Sequence, residues 1–217
     1  MSIDYAANLR VIRERIERSC EAAGRDPATV ILVAVSKTHP AEAIRALYDL
    51  GLRDFGESRL QEAQPKVETL PGDITWHFVG HLQSNKARKV GSLFDVIHTL
   101  TNEGQLRELA KAGRELDGLI EVNIAEEPQK SGLSPADVDA FRQKLLDYRS
   151  VRFRGLMTVG PAVEDPSAMR PYFRALREAG AAFGTPWLSM GMSHDFEVAI
   201  QEGSTHVRVG TALFGAR

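Results

Sequence analysis

A lysine lies two residues after the longest apolar run of the sequence, and this position can turn its amine into a nucleophile. Residues 30–35 read Val-Ile-Leu-Val-Ala-Val, and Ser36 and Lys37 come next. If the run is a buried strand, Lys37 lies where the chain leaves the apolar interior. Desolvation there disfavours the charged ammonium form, so the neutral amine can attack a carbonyl carbon. A solvated lysine at a strand end is the commoner arrangement, so from position alone a carbonyl-binding Lys37 is a hypothesis.

Two segments near the carboxyl end have the composition of a phosphate site. Gly191-Met192-Ser193 precedes a helical pattern that opens near Asp195, and Gly210-Thr211 follows the last apolar run. Backbone N–H groups and the positive end of the helix dipole attract anions at such positions. A helix N-cap at Ser193 and a simple turn at Gly210 explain the same residues. Phosphate binding and these structural roles remain about equally supported.

Other tempting patterns are weaker. Ser193-His194-Asp195 contains the residue types of a catalytic triad, but consecutive residues cannot adopt its nested geometry. His77 and His81 are four residues apart without an evident third ligand, which disfavours a metal site. Neither a Walker loop nor a dinucleotide-binding glycine fingerprint is present. The sequence therefore predicts no metal and no catalytic triad.

Composition indicates an ordinary water-soluble protein. The 217 residues are 43% hydrophobic, and 27 basic against 29 acidic residues give a net charge of −2. No long basic run indicates nucleic acid or a membrane as a partner. The single cysteine, Cys20, cannot form an internal disulfide. Because no signal peptide or membrane-length apolar segment is found, we expect a cytoplasmic location.

Eight apolar runs alternate with helical patterns along the chain, which predicts a parallel α/β fold. The expected strands are residues 30–35, 54–55, 74–78, 94–98, 119–123, 153–156, 187–189 and 206–209. The expected helices are residues 4–24, 40–50, 58–69, 85–92, 102–115, 135–147, 166–182 and 195–202. We predict a single (β/α)8 TIM-type barrel with an extra N-terminal helix, forming one domain over residues 1–217. A doubly wound open sheet is the alternative.

In such barrels, functional residues collect where strands end and loops begin. The predicted strand ends include Lys37, Ser58, His77, Met157, Ser193, Arg208, Gly210 and Thr211, and the family resemblance given next selects these eight as the candidate binding site. No residue is assigned a catalytic role.

Several ordered segments resemble the pyridoxal 5′-phosphate (PLP) homeostasis protein family. They are AVSKT at 34–38, FGE at 55–57, WHFVGHLQSNK at 76–86, GLM at 155–157, LSMGMSHD at 188–195 and GSTHVRVGTALFG at 203–215. The likeness runs in order from about residue 8 to the carboxyl end. It implies a barrel like the N-terminal domain of alanine racemase.

The resemblance also implies residue roles. Lys37 would carry PLP as a Schiff base, and Arg208 would face the pyridine nitrogen. The phosphate would lie against Ser193, Gly210 and Thr211. The family's Asn…Lys-x-Gly segment matches Asn123, Lys130 and Gly132. The chain departs from the family at Ser58, where an asparagine is usual, so the contact made there differs.

The function implied is PLP binding in intracellular vitamin B6 and amino-acid homeostasis, as a monomeric carrier or buffer without robust catalysis. PLP-dependent apoenzymes would be recipients. Two alternatives stay open: a PLP-dependent amino-acid racemase, and a sugar-phosphate enzyme in which Lys37 forms an imine with its substrate.

Two features of the sequence argue against the racemase. A guanidinium at position 208 only donates hydrogen bonds, which leaves PLP a weak electron sink. Alanine racemases use a tyrosine from a second domain, and the eighth run ends near Val209 in a sequence that stops at Arg217, so we expect no such domain. The tyrosines present are Tyr5, Tyr48, Tyr148 and Tyr172, all in predicted helices.

Overall fold

Eight parallel strands close into a barrel in chain order. The computed structural model describes residues 3–185 and 187–215. Each strand pairs with its sequence neighbours, and β8 closes the ring on β1. The strands are β1 Ile31–Val35, β2 Asp54–Glu57, β3 Thr75–Phe78, β4 Val96–Leu100, β5 Leu116–Glu121, β6 Val151–Met157, β7 Trp187–Met192 and β8 His206–Val209. The prediction of a (β/α)8 barrel is confirmed, and the open sheet is excluded.

Helices follow each strand and cover the outside of the barrel. They are α2 Ala41–Asp49, α3 Leu60–Thr69, α4 Ser84–Leu93, α5 Glu103–Leu109, α6 Val138–Leu146, α7 Arg170–Ala182, α8 Phe196–Gln201 and α9 Thr211–Phe214. The predicted extra helix is α1, Tyr5–Ala22, which packs against α8 and α9. Its buried side chains recur every three or four residues, namely Leu9, Ile12, Ile16 and Cys20. No helix in the described ranges is long and apolar enough to cross a bilayer.

Element boundaries differ from the predicted ones where polar residues interrupt or extend a run. Strand β5 begins at Leu116, three residues before the predicted start, and Asp117 near this end pairs with Arg152 and Arg154. The strand ends at Glu121, two residues before the predicted end. The helix expected over 102–115 stops at Leu109 and continues as a 3-10 turn to a left-handed residue, Gly113, with φ of 78°. Helix α9 was not predicted, because four residues show no periodicity.

The barrel interior is unusually polar. Layers of Val, Ile and Leu commonly fill a TIM barrel. Here His77 of β3, His98 of β4 and His206 of β8 meet inside, with ring centroids 5.1 to 6.2 Å apart. A small apolar cluster made of Val96, Leu119, Met157 and Trp187 packs near them, with the Trp187 ring centroid 4.5 Å from that of His206. The interior can therefore carry hydrogen bonds from one end of the barrel to the other.

Candidate functional site

A cavity of about 470 Å³ opens at the carboxyl ends of the strands. We call it the mouth cavity. Its volume is in the range of small-molecule sites. Its lining residues come from β1, β2, β3, β6, β7 and β8 and the loops that follow them: Val35, Lys37, His39, Ser58, Val79, Val159, Met192, Ser193, His194, Arg208, Gly210, Thr211 and Gly215. Six of the eight candidate residues named from the sequence therefore meet in one place.

Lys37 is exposed after the end of β1, and hydrogen bonds of the residues on either side of it fix its backbone. The preceding residue, Ser36, donates its hydroxyl to Glu57 Oε1 at 2.7 Å, while Lys66 Nζ donates to Ser36 O at 3.0 Å and to Glu57 Oε1 at 2.5 Å. The next residue, Thr38, has a φ of 68° and donates its amide to Glu62 Oε2 at 2.9 Å. These contacts fix the corner and leave the Lys37 side chain to the cavity.

Glu57 in this corner is completely buried. Burial raises the pKa of the Glu57 carboxyl, against the opposing effect of its hydrogen bonds from Lys66 and Ser36. Its second oxygen, Oε2, has no hydrogen-bond partner among the described residues. The ion pair with Lys66 therefore satisfies Oε1, while Oε2 is buried without a hydrogen bond to offset its loss of solvent.

Arg208 reaches the cavity from β8 and is 5% exposed. Its Nη1 donates to Ser189 O at 2.8 Å and to Ser189 Oγ at 2.6 Å, and its Nη2 donates to Thr158 O at 2.9 Å. A guanidinium has five N–H donors, so these contacts leave donors for a ligand. Burial lowers the pKa of Arg208 to about 10, opposed by Asp195 and Glu121, so the side chain stays a cation at neutral pH.

The loops after β7 and β8 form one anion-binding corner. The Gly210 amide donates to Ser193 Oγ at 3.3 Å, which brings the two loops into contact. Gly191 has a φ of 91°, and an added Cβ would lie 2.5 Å from Ala199 Cβ, so only glycine fits this turn. Thr211 is exposed at the start of α9. Hydroxyls and amides gathered in this way suit a phosphate monoester.

His77 and Met157 do not line the mouth cavity. His77 is 1% exposed inside the barrel and contacts Asp54 and His98, while Met157 packs against Leu119 and its neighbours. Sequence position marks the end of a strand but does not give the depth of an inward side chain. His81 is exposed, so His77 and His81 do not share a metal site. Among the described residues, no His, Cys, Asp and Glu cluster has three or more metal-ligating members.

The segment matching Asn…Lys-x-Gly stabilises its own loop. Asn123 Nδ2 donates to Glu127 O at 2.8 Å, and Lys130 Nζ donates to Gly160 O at 2.8 Å. Gly132 has a φ of 109°, and an added Cβ would lie 2.6 Å from Asn123 N. These residues shape the loop after β5 without lining the cavity.

Sequence reasoning missed the residues that hold Arg208, namely Ser189 and Thr158, and the buried carboxyl of Glu121. Glu121 is 7% exposed, and burial raises the pKa of its carboxyl against the opposing charge of Arg208. The signal lies in the alternation of β5, which places Leu119 and Glu121 on the inner face. It was overlooked because the strand was predicted to end at Asn123.

Comparisons with known proteins agree with this geometry. The family model of the alanine racemase N-terminal domain matches residues 6–217. The pyridoxal phosphate homeostasis protein of Aquifex aeolicus is 43% identical over 217 residues, which cover 95% of each chain. The structure of PipY from Synechococcus elongatus with PLP bound has a TM-score of 0.79 and 38% identity, covering 93% of this chain and 100% of that one.

A more distant likeness concerns the fold alone. Alanine racemase of Clostridium difficile is 12% identical with a TM-score of 0.74, and the match covers 97% of this chain but 57% of the racemase. The rest of the racemase chain lies outside the shared barrel. The full-length match to close relatives, together with the family model, decides the classification. This chain belongs to the pyridoxal phosphate homeostasis proteins, within the family of the alanine racemase N-terminal domain.

Proposed function

We propose that this chain binds PLP in the mouth cavity and holds it as a Schiff base on Lys37, acting as a carrier or buffer in PLP homeostasis. One observation carries the proposal. A lysine, a hydroxyl-and-amide corner and a buried guanidinium line the same cavity of about 470 Å³. An aldehyde, a phosphate and a pyridine nitrogen are the three groups that these elements complement. The name of the Aquifex relative and the PLP-bound PipY structure support the same ligand.

Each element has a separate task in this proposal. Lys37 would hold the cofactor covalently by condensing its amine with the aldehyde, with loss of one water molecule. Ser193, Gly210 and Thr211 bind the phosphate through hydroxyl and amide donors. Arg208 donates a hydrogen bond to the ring nitrogen. When bound, PLP would supply a reactive aldehyde and an electron sink.

The chemistry of Arg208 favours a carrier over an enzyme. A guanidinium has no acceptor and keeps its protons at neutral pH, so it cannot pass a proton to the ring nitrogen readily. An unprotonated ring withdraws electrons weakly, which disfavours carbanion chemistry at a bound amino acid. PLP-dependent apoenzymes are the proposed recipients.

The test is to load the protein with PLP, record its visible spectrum, and reduce it with borohydride before peptide mapping. We expect a yellow protein with the label on Lys37, and no stable label in Lys37→Ala. Lys130→Ala is the matched control, since Lys130 is a half-buried lysine that bonds Gly160 outside the cavity and should leave labelling intact. Label on Lys86, Lys89 or Lys130 with Lys37 unmodified would refute the assignment. A colourless protein would instead favour the sugar-phosphate alternative.

The carrier role needs a separate measurement. Loaded protein is mixed with a PLP-dependent apoenzyme, and recovery of that enzyme's activity is compared with free PLP at the same concentration. Carriage predicts activation in the presence of a phosphatase that destroys free PLP. Loss of all activation under those conditions would leave PLP binding intact and reject delivery.

A further inference from the structure

A continuous hydrogen-bonded chain runs through the barrel interior from the amino-terminal end to Arg208. His77 Nε2 lies 3.0 Å from Asp54 Oδ1, and His77 Nδ1 lies 2.9 Å from His98 Nε2. His98 Nδ1 lies 2.8 Å from Ser189 Oγ, which accepts from Arg208 Nη1 at 2.6 Å. We call these five residues the axial chain. It links β2, β3, β4, β7 and β8.

The two ends of the axial chain fix its direction. Arg208 can only donate, and the Asp54 carboxylate can only accept. His77 therefore donates from Nε2 to Asp54 and, as a neutral ring, accepts at Nδ1 from His98 Nε2. A neutral His98 then accepts at Nδ1 from the Ser189 hydroxyl, whose oxygen accepts from Arg208. With both rings neutral, every link points from the mouth of the barrel towards its base.

The histidines of the axial chain suit this single direction only as neutral rings. His98 is completely buried, and burial with the neighbouring His77 keeps its pKa well below the usual range. A neutral imidazole has one donor and one acceptor nitrogen, which is what each link requires. Aligned hydrogen bonds in a low-dielectric interior polarise and strengthen one another.

From this geometry we propose that Asp54, His77, His98 and Ser189 are positioning residues for Arg208. They hold the guanidinium at the cavity wall, with acceptor atoms on its inner side and its remaining donors towards the ligand. Asp54 provides the anionic end of the chain, and its side chain is 28% exposed at the base of the barrel. Asp54, at the opposite end of the barrel, thus contributes to the hydrogen bond that Arg208 makes to the ring nitrogen. The proposal rests on the proposed function for its ligand, but the direction of the chain does not.

The direction is tested without PLP. ¹⁵N chemical shifts of the imidazole nitrogens identify the tautomer of each histidine in the ligand-free protein. We expect His77 and His98 both to carry the proton on Nε2. Asp54→Asn keeps the size of the side chain but lets it donate as well as accept, so the His77 signals should shift towards a mixture of tautomers. A proton on Nδ1 of either ring in the parent protein would overturn the proposed direction, whether or not PLP binds.

The positioning role is tested with two ligands. In 1-deazapyridoxal 5′-phosphate a C–H group replaces the ring nitrogen, while the aldehyde and phosphate remain. We expect Ser189→Ala to weaken PLP binding by about tenfold and the deaza analogue by less than about twofold. Ser204→Ala is the matched control, because Ser204 is also completely buried but donates to Met190 O at 2.7 Å, away from Arg208.

Ser204→Ala should change the affinities for the two ligands by equal factors. Asp54→Asn should weaken PLP selectively, by about two- to threefold, and its partly exposed site should preserve folding. Equal losses for PLP and the deaza analogue in Ser189→Ala would refute the positioning role. Failure of the parent protein to bind either ligand would reject the proposed function and leave the tautomer test standing.

Discussion

Lys37 follows β1 and Arg208 lies on the neighbouring strand β8, yet the protein supports them in opposite ways. Lys37 is exposed, and its anchoring contacts are made by its backbone neighbours Ser36 and Thr38. Those contacts lie between the barrel and α3. Arg208 is 5% exposed, and its own guanidinium makes three hydrogen bonds inside the barrel. The backbone around Lys37 is thus fixed by contacts outside the sheet, whereas the guanidinium of Arg208 is fixed by contacts inside the barrel.

The difference follows from what each side chain is proposed to do. An amine that forms and releases a covalent bond must move along the path of an aldehyde, so a fixed backbone with a mobile side chain suits it. A hydrogen-bond partner for a ring gains most when it is already in place, because little freedom is lost on binding. Removing either side chain should abolish or weaken PLP binding, but only one should affect the fold.

The largest expected effect separates these two kinds of support. Arg208→Met removes the buried donor to Ser189 Oγ and Thr158 O, while Ser189 O keeps its hydrogen bond from the Thr158 amide, so the free energy of unfolding should fall by about 3–5 kcal/mol. Lys37→Met changes an exposed side chain and should alter stability by about 0.5 kcal/mol or less. Urea unfolding of both ligand-free variants measures this. Similar losses in the two proteins would break the comparison.

The second effect concerns acid stability of the interior that supports Arg208. Burial lowers the pKa of His206 to about 3, below the ordinary value of 6.5. The unfolded chain therefore takes up a proton at a pH where the folded ring does not. Stability from this group is present above pH 6.5 and is lost progressively as pH falls towards 3.

Between pH 6.5 and 4.5 the loss from His206 should be about 2–3 kcal/mol. His206→Phe removes the titrating group and keeps an aromatic ring against Trp187, whose centroid lies 4.5 Å away. Chemical unfolding across this pH range should show a shallower decline in the variant than in the parent. Parallel pH dependences would show that the interior does not resist protonation at this ring.

A feature of the fold or of the site could be predicted from the sequence when residues close together in the chain determine it. Strands such as β1, Ile31–Val35, were recognisable because buried parallel strands are continuous apolar runs. The strand ends were harder to predict, because a strand that is apolar on both faces shows no alternation of apolar and polar residues to mark where its pairing stops. Lys37 and Arg208 followed from motifs at strand ends. The axial chain did not, because Asp54, His77 and His98 come together only when distant strands close into a ring.

A third, smaller effect concerns the phosphate corner, which lies between the two supports. Ser193→Ala with Thr211→Ala removes two hydroxyls that face the proposed phosphate. Charge-assisted hydrogen bonds contribute about 1.5–3 kcal/mol, and less where water competes at exposed Thr211. The double variant should therefore lose affinity for PLP by about tenfold or more while binding pyridoxal almost unchanged. Titration with both vitamers decides it, and equal losses would place the phosphate elsewhere.

The smallest expected effect is catalytic, and it concerns the face of the ligand opposite Lys37. Racemisation needs a proton acceptor on one face of the bound amino acid and a donor on the other. Lys37 can serve one face. None of the four tyrosines is among the described residues that line the mouth cavity. Tyr48 and Tyr148 instead bond to Asp73 and Glu103 on the outer surface.

PLP-loaded protein should therefore racemise alanine and other common amino acids at a rate far below about 1 s⁻¹, the lower end for ordinary enzymes. The donor-only Arg208 argues the same way, because it leaves the ring a weak electron sink. A chiral assay measures turnover, with Lys37→Ala as the control for reaction of free PLP. Turnover at an ordinary enzyme rate that depends on Lys37 would contradict the carrier. If that turnover were lost in His194→Ala, the His194 imidazole would be identified as the second proton donor. Arg208 and the residues that hold it would then have a supporting role in catalysis.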